Sequence, residues 1–150
     1  MIKGNCACGR IRYQTQAQPV AVNGCHCGTC RRISGGPFLA FVDFPASQLE
    51  WTQHPDTWTC SDIAQRGHCK QCGSSISMVY HFENDRIGVC MGTVVEADPP
   101  LPGIQAHIFL KEKAPWFVLS DDAARRCEGF SRPGQDEKIE KWKAGKTGDQ

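Results

Sequence analysis

No window of this sequence approaches the roughly 18 consecutive apolar residues of a membrane-spanning helix, and the opening Met1-Ile2-Lys3-Gly4-Asn5-Cys6 holds no apolar stretch able to direct export. The expectation is a cytoplasmic protein without a membrane partner. Charge of one sign is also lacking: 17 basic residues face 16 acidic ones, so bulk electrostatics call for neither nucleic acid nor an anionic surface. Between the cysteine clusters there is no basic stripe and no recognition-helix pattern, which argues against a zinc-finger reader of nucleic acid. Sustained 3.6-residue periodicity is missing ahead of the last twenty residues, and no second run of core-forming sequence appears. One domain is therefore expected in 150 residues.

What is present is a succession of short extended segments separated by turn residues. Residues 10–14, 38–44, 58–60, 75–80, 86–91, 106–110 and 116–119 read as strands, and Asp98-Pro99-Pro100-Leu101-Pro102-Gly103 as a rigid loop that cannot join a ladder. The implied class is mainly β, a single domain of several small antiparallel sheets over residues 1–130. Residues 131–150 form a charged tail or a short helix, since acidic residues precede lysines between 136 and 146 and Ile139 stands three before Trp142.

Ten cysteines are present, and seven fall into three tight clusters: Cys6-Ala7-Cys8-Gly9, Cys25-His26-Cys27-Gly28-Thr29-Cys30 and Cys69-Lys70-Gln71-Cys72-Gly73. In a reducing compartment such clusters are metal ligands more often than disulfides. The Cys69-x-x-Cys72 turn aims both sulfurs at one metal, and the following glycine allows a positive φ; paired with Cys6-x-Cys8 it makes one closed, structural four-thiolate zinc site. Cys25, Cys27 and Cys30 remain as a three-thiolate site. Its fourth ligand is open among His26, His54, His68, His81, His107, a carboxylate, water or substrate, with His107 the histidine best placed to depart from a packed or surface role. Two zinc ions on seven thiolates would carry the formal charge from +1 to about −2.

Arg31 and Arg32 follow the trio directly and suit an anionic ligand, although two adjacent arginines equally make a solvated face. Thr29, Ser34 and the Gly35-Gly36-Pro37 turn add hydroxyls and backbone donors. Outside the clusters, Cys90 reads as a buried small hydrophobe, whereas Cys60 and Cys127 read as exposed thiols.

These clusters and their neighbours resemble the glutathione-dependent formaldehyde-activating enzyme family, whose domain is shared with centromere protein V. The resemblance runs to about Phe130. It rests on Gly4-Asn5-Cys6-Ala7-Cys8-Gly9, on Cys25-His26-Cys27-Gly28-Thr29-Cys30-Arg31-Arg32-Ile33-Ser34-Gly35, on Cys69-Lys70-Gln71-Cys72-Gly73 and Gly92-Thr93, and on Gln105-Ala106-His107-Ile108-Phe109 with Lys113-Ala114-Pro115-Trp116. It implies a fold of the MSS-four type, a structural zinc on Cys6, Cys8, Cys69 and Cys72, and a second zinc with an open position on Cys25, Cys27 and Cys30. It further implies glutathione as a co-substrate and His107, Lys113 and Trp116 of the C-terminal signature as candidate contacts to it, with Trp116 more suited to packing and Lys113 to an exposed position; Thr29, Arg31 and Arg32 are candidates by their place beside the trio.

Two functions from different classes are in play. The first is a zinc-dependent carbon–sulfur lyase acting on an adduct of glutathione, or a similar small thiol, with formaldehyde or another aldehyde. In it the metal either ionises the thiol or polarises the carbonyl. The second is a non-catalytic, zinc-stabilised binding domain. A vacant fourth position facing a cleft favours the enzyme; a protein side chain closing the trio favours the binding domain.

Overall fold

The computed structural model describes residues 1–147; the end of the expected tail, 148–150, lies outside the described residues. In chain order the elements are β1 (Ile2–Asn5), β2 (Arg12–Thr15), β3 (Ala21–Cys25), α1 (Gly28–Ser34), β4 (Leu39–Pro45), β5 (Glu50–Gln53), β6 (Asp56–Ser61), β7 (Ala64–His68), β8 (Ser75–Tyr80), β9 (Glu83–Cys90), β10 (Val94–Ala97), β11 (Ala106–Ile108), β12 (Arg125–Arg126) and α2 (Gln135–Thr147). The mainly β architecture with a short C-terminal helix is what the sequence suggests. The strands join into two sheets, of four in the order β10-β1-β2-β5 and of eight in the order β12-β11-β3-β4-β9-β8-β7-β6. Pairing is antiparallel except at β11, which lies parallel to both β3 and β12.

Strand side chains alternate between faces, and paired residues share one. Register then sorts the larger sheet. Val22 pairs with Val42 and Val42 with Val89, while Phe44 pairs with Ile87. These five are buried and meet Ile2, Ile11, Tyr13 and Leu49 in one core. Each such side chain contributes about 1.5–3 kcal/mol on burial. The other face carries a mixed row, Ala21, Asp43, Gly88, Met78, Arg66 and Trp58, paired strand by strand across five ladders. Cys25, Asn23 and Phe41 share that face.

Helix α2 is docked by charge. Glu83 accepts a fork from Arg132 and further bonds from Gln135 Nε2 at 3.2 Å and Lys138 Nζ at 3.0 Å, which hold the carboxyl down at about 2, the Arg132 contact foremost. Ile139 is buried, and Trp142 stacks on His81.

Strands β1, β3, β5, β7, β10 and β12 add to those read from the sequence, and residues 116–119 and α1 depart from it. Residues 116–119 form no strand, because Pro115 offers no N–H and Phe117 N–H turns back to Ala114 O. Trp116 is consequently 67% exposed and not a packing anchor. Helix α1 was not foreshadowed, since seven residues are too few to display a period.

Candidate metal centres and an adjoining cavity

Two alike turns build the first centre. Cys6 N–H donates to Ile11 O and Gly9 N–H to Cys6 O; likewise Cys69 N–H donates to Ser74 O and Gly73 N–H to Cys69 O. Gly9 at φ 75° and Gly73 at φ 76° close the turns in the left-handed region, where a side chain would be strained. The turns bring Cys6, Cys8, Cys69 and Cys72 together, with Cys6 Sγ 3.5 Å from Cys8 Sγ and Cys8 Sγ 3.7 Å from Cys69 Sγ. A tetrahedron with metal–sulfur arms of about 2.3 Å has edges of about 3.8 Å, so these four sulfurs fit zinc in size and in donor type. Ile11 N–H donates to Cys6 Sγ, and the Ser74 hydroxyl beside Cys72 draws that thiol down to about 5. Both contacts favour thiolate.

The second centre sits where β3 runs into α1. Cys25 ends the strand, Cys27 caps the helix by accepting from Cys30 N–H at 3.4 Å, and Cys30 lies in the first turn. Their sulfurs also group closely enough to hold a metal ion. Hydrogen bonds from the Cys25 and Cys30 thiols pull Cys27 down to about 2, and the contact with Cys27 pushes Cys25 up. Three sulfurs this close and this enclosed do not all ionise without a cation, and a zinc ion answers that demand. Arg66 Nη2 meets part of it, donating to Cys30 Sγ at 3.2 Å.

Among the described residues, no fourth histidine, cysteine, aspartate or glutamate joins the trio. His26 turns away: its Nε2 lies 2.9 Å from His107 Nδ1, and His107 Nε2 lies 2.7 Å from Asp122 Oδ2. The cause is strand parity. His107 is paired with Gly24, on the face opposite Cys25, whereas its neighbour Ile108 is paired with Cys25 itself. Burial lowers His26 to about 4, and the His107 contact holds Asp122 far below the carboxylate range. His54 stands against Trp51 and His81 against Trp142, while His68 lines a separate groove with Trp58.

The trio opens into a cavity of about 190 Å³ on the mixed face of the larger sheet. A single water needs about 10–15 Å³ on this measure, so the space suits a small organic molecule. Cys25, Cys27, Thr29 and Cys30 line one end; Asp43, Glu83, Arg86 and Arg132 line another part, and Phe109 and Phe130 contribute apolar wall. Of the contacts expected from sequence, Thr29 is in the lining; Arg31, Arg32 and His107 are not. Sequence reasoning passed over Arg66, Asp43 and Arg86. Asp43 did leave a signal, a carboxylate set between Val42 and Phe44 in an otherwise apolar run. Arg66 has two N–H groups, Nε and Nη1, buried without a protein partner among the described residues. Buried orphan donors cost about 1–3 kcal/mol each, which marks a place for an acceptor.

Of the remaining thiols, Cys60 lines the cavity and its Sγ donates to Ala64 O at 3.5 Å. Cys90 is buried, and burial pushes it up to about 11. Cys127 is half-buried.

Residues 1–112 match the family model described as glutathione-dependent formaldehyde-activating enzyme. A Halomonas elongata protein whose name assigns it provisionally to the glutathione-dependent formaldehyde-activating enzymes is 23% identical over 154 residues, covering 96% of this chain and 95% of its own. A Schizosaccharomyces pombe protein named as an uncharacterized lyase is 30% identical over 78 residues, covering 52% of this chain and 57% of its own. A crystal structure of a Rhodobacter sphaeroides protein, 18% identical, superposes with a TM-score of 0.54 over 65% of this chain and 91% of that one, a likeness of fold.

Proposed function

The chain belongs to the glutathione-dependent formaldehyde-activating enzyme family, and on that footing we propose that it is a carbon–sulfur lyase that makes and breaks the adduct of glutathione, or a similar small thiol, with formaldehyde or another aldehyde. One observation carries this reading: three thiols line a ligand-sized cavity, without a fourth protein ligand among the described residues, beside an arginine with unpaired donors. Cys6, Cys8, Cys69 and Cys72 would hold one Zn²⁺ and Cys25, Cys27 and Cys30 a second, which when bound there supplies a positive centre that favours the thiolate form of an entering thiol.

In the forming direction a sulfur lone pair makes the S–C bond, the carbonyl π pair moves onto oxygen, and the proton given up by the thiol ends on that oxygen. Cleavage reverses each of these transfers. The protein's part is positioning and charge. Nε and Nη1 of Arg66 are donors for the oxygen as negative charge gathers on it, and a donor of this kind is worth about 10²–10³ in rate where water is excluded. Thr29 adds a hydroxyl to the same end of the cavity. Arg31 and Arg32, outside the lining, contribute only their positive field. A cytoplasmic setting suits the proposal, since thiolate ligands persist under reducing conditions.

The test is magnetisation exchange between glutathione, formaldehyde and S-hydroxymethylglutathione on zinc-loaded protein. The wild type is expected to speed exchange above the protein-free rate, and Arg66→Gln with full zinc content to slow it about 10²-fold. Exchange no faster than that given by Cys27→Ser would sink the lyase and leave a non-catalytic, zinc-stabilised binding domain.

A further inference from the structure

Seven of the ten cysteines are gathered at the two centres and Cys90 is buried, which leaves Cys60 and Cys127 as half-buried thiols. Of these two, Cys60 lines the cavity. It belongs to β6, the outermost strand of the larger sheet, and is the residue left over where the ladder to β7 slips: Thr59 is paired with Gln65 and Ser61 with Ala64. A bulge of this kind frees one residue from the ladder and re-aims its side chain. Arg66 is paired with Trp58, two residues before Cys60, a diagonal that a long side chain spans. Arg66 is 7% exposed; its guanidinium donates from Nη2 to Cys30 Sγ and lies close enough to Cys60 for its charge to be felt there. Its Nε and Nη1 have no acceptor among the described residues. Beside Cys127 the arginines are taken, Arg125 by Ser131 O and Arg126 by Asp122, Ala124 O and Ser120 O.

We infer that Cys60 is a modification site, at which a carboxylate-bearing low-molecular-weight disulfide enters the cavity, sets a carboxylate on the free donors of Arg66 and leaves half of itself on the sulfur. Reactive thiols sit in electropositive, partly exposed surroundings, and Cys60 has both. The step is a thiol–disulfide exchange. A lone pair of the Cys60 thiolate forms the new S–S bond while the S–S bond of the incoming disulfide breaks. The electron pair of that bond goes to the departing sulfur, which takes up the proton that Cys60 gave up. Cys60 is oxidised as half of the disulfide is reduced. A thiol of the same kind reverses each transfer, so occupancy follows the ratio of disulfide to thiol. The site stands apart from the proposed lyase reaction, which neither consumes a disulfide nor uses the Cys60 sulfur. Arg66 serves both, so a half-disulfide on Cys60 and an adduct at the trio compete for one guanidinium.

The experiment treats the zinc-loaded full chain with dithiodipropionate, and with its dimethyl ester as the uncharged comparison. Intact-mass spectrometry counts the halves added, peptide mapping locates them, and zinc analysis follows the metals. Cys60 is expected to react with dithiodipropionate at least about tenfold faster than Cys127, with both metals retained and full reversal by mercaptopropionate. With the ester that preference should fall to about twofold, and so should the preference of Arg66→Gln for the acid, while Arg66→Lys keeps most of it. Cys60→Ser should lose the fast phase and keep the slow one at Cys127. If Arg66→Gln fails to fold, the comparison of acid with ester on wild type decides alone. First modification at Cys127 or at a metal-centre cysteine, or zinc release in step with modification, overturns the site. An equal preference for Cys60 with acid and ester overturns the carboxylate class and the part given to Arg66.

Discussion

Serine at Cys8 removes one sulfur from a cluster whose halves are joined across 61 residues of chain, for Cys8 Sγ and Cys69 Sγ stand 3.7 Å apart. A metal there is a cross-link, and its effect follows from the loop it closes. Closing a loop of this size restricts the unfolded chain by about 4 kcal/mol at 25 °C on the chain-entropy model. The trio closes a far smaller loop, since Cys25 and Cys30 are five residues apart, and the same relation gives about 2 kcal/mol. For a domain of this size each kcal/mol moves the melting midpoint by about 2–4 °C. Cys8→Ser, stripped at that site by a competing chelator, should therefore melt about 8–16 °C below wild type, and Cys27→Ser about 4–8 °C below. Calorimetry paired with zinc analysis on the same samples reads both numbers. Each variant should lose one metal per chain, and only Cys27→Ser should lose glutathione binding at temperatures where both are folded. Equal midpoint losses, or loss of thiol binding in the folded Cys8→Ser protein, would refute the division into a closed structural site and an open one.

Glu83 gives a pH test. Its folded-state pKa, about 2, lies below the unfolded value near 4.3, so its contribution is complete above about pH 4 and is lost as pH falls through about 2. The stability gap between wild type and Glu83→Gln should therefore close over that window in denaturant titrations, acid effects common to both cancelling; a gap independent of pH would show that Arg132 and Lys138 do not act through this carboxylate. His107→Phe should strand the buried His26 Nε2, at about 1–3 kcal/mol, and lower the melting midpoint while glutathione affinity holds; the exposed Asp122 keeps its bonds from Arg126 and the Ala124 N–H. An unchanged midpoint with weakened thiol binding would place His107 at the substrate instead.

The grouping of the cysteines was legible in the sequence because a knuckle is local: spacing, a following glycine and a turn decide where two sulfurs point, and distant folding only brings the halves together. The cavity was far less legible. Arg31 and Arg32 were singled out for adjacency to Cys30, yet the arginine that reaches that sulfur is Arg66, 36 residues away on β7. Bringing it there takes the ladder β4-β9-β8-β7, and no short-range pattern fixes the order of four strands. His107 failed as a cavity residue by a single step of alternation. Its apolar surroundings correctly indicated a strand, but which face it presents depends on the parallel register with β3, where Ile108 and not His107 falls opposite Cys25.

That same alternation explains how a marginally stable fold tolerates the site. Along β4, Val42 and Phe44 enter the core while Phe41 and Asp43 face the cavity; along β9, Ile87 and Val89 do the first and Arg86 and Gly88 the second. The penalties gathered on the cavity side, a carboxyl raised by burial at Asp43 and orphan donors on Arg66, are those that polar satisfaction would otherwise remove. They are offset on the other side of the same strands by a close-packed apolar layer. Because the two sets of side chains share a backbone but not a face, a change such as Asp43→Asn can alter the charge of the cavity wall without opening the core, whereas Phe44→Ala, at about 3–5 kcal/mol, would lower stability with the cavity-facing groups still in register.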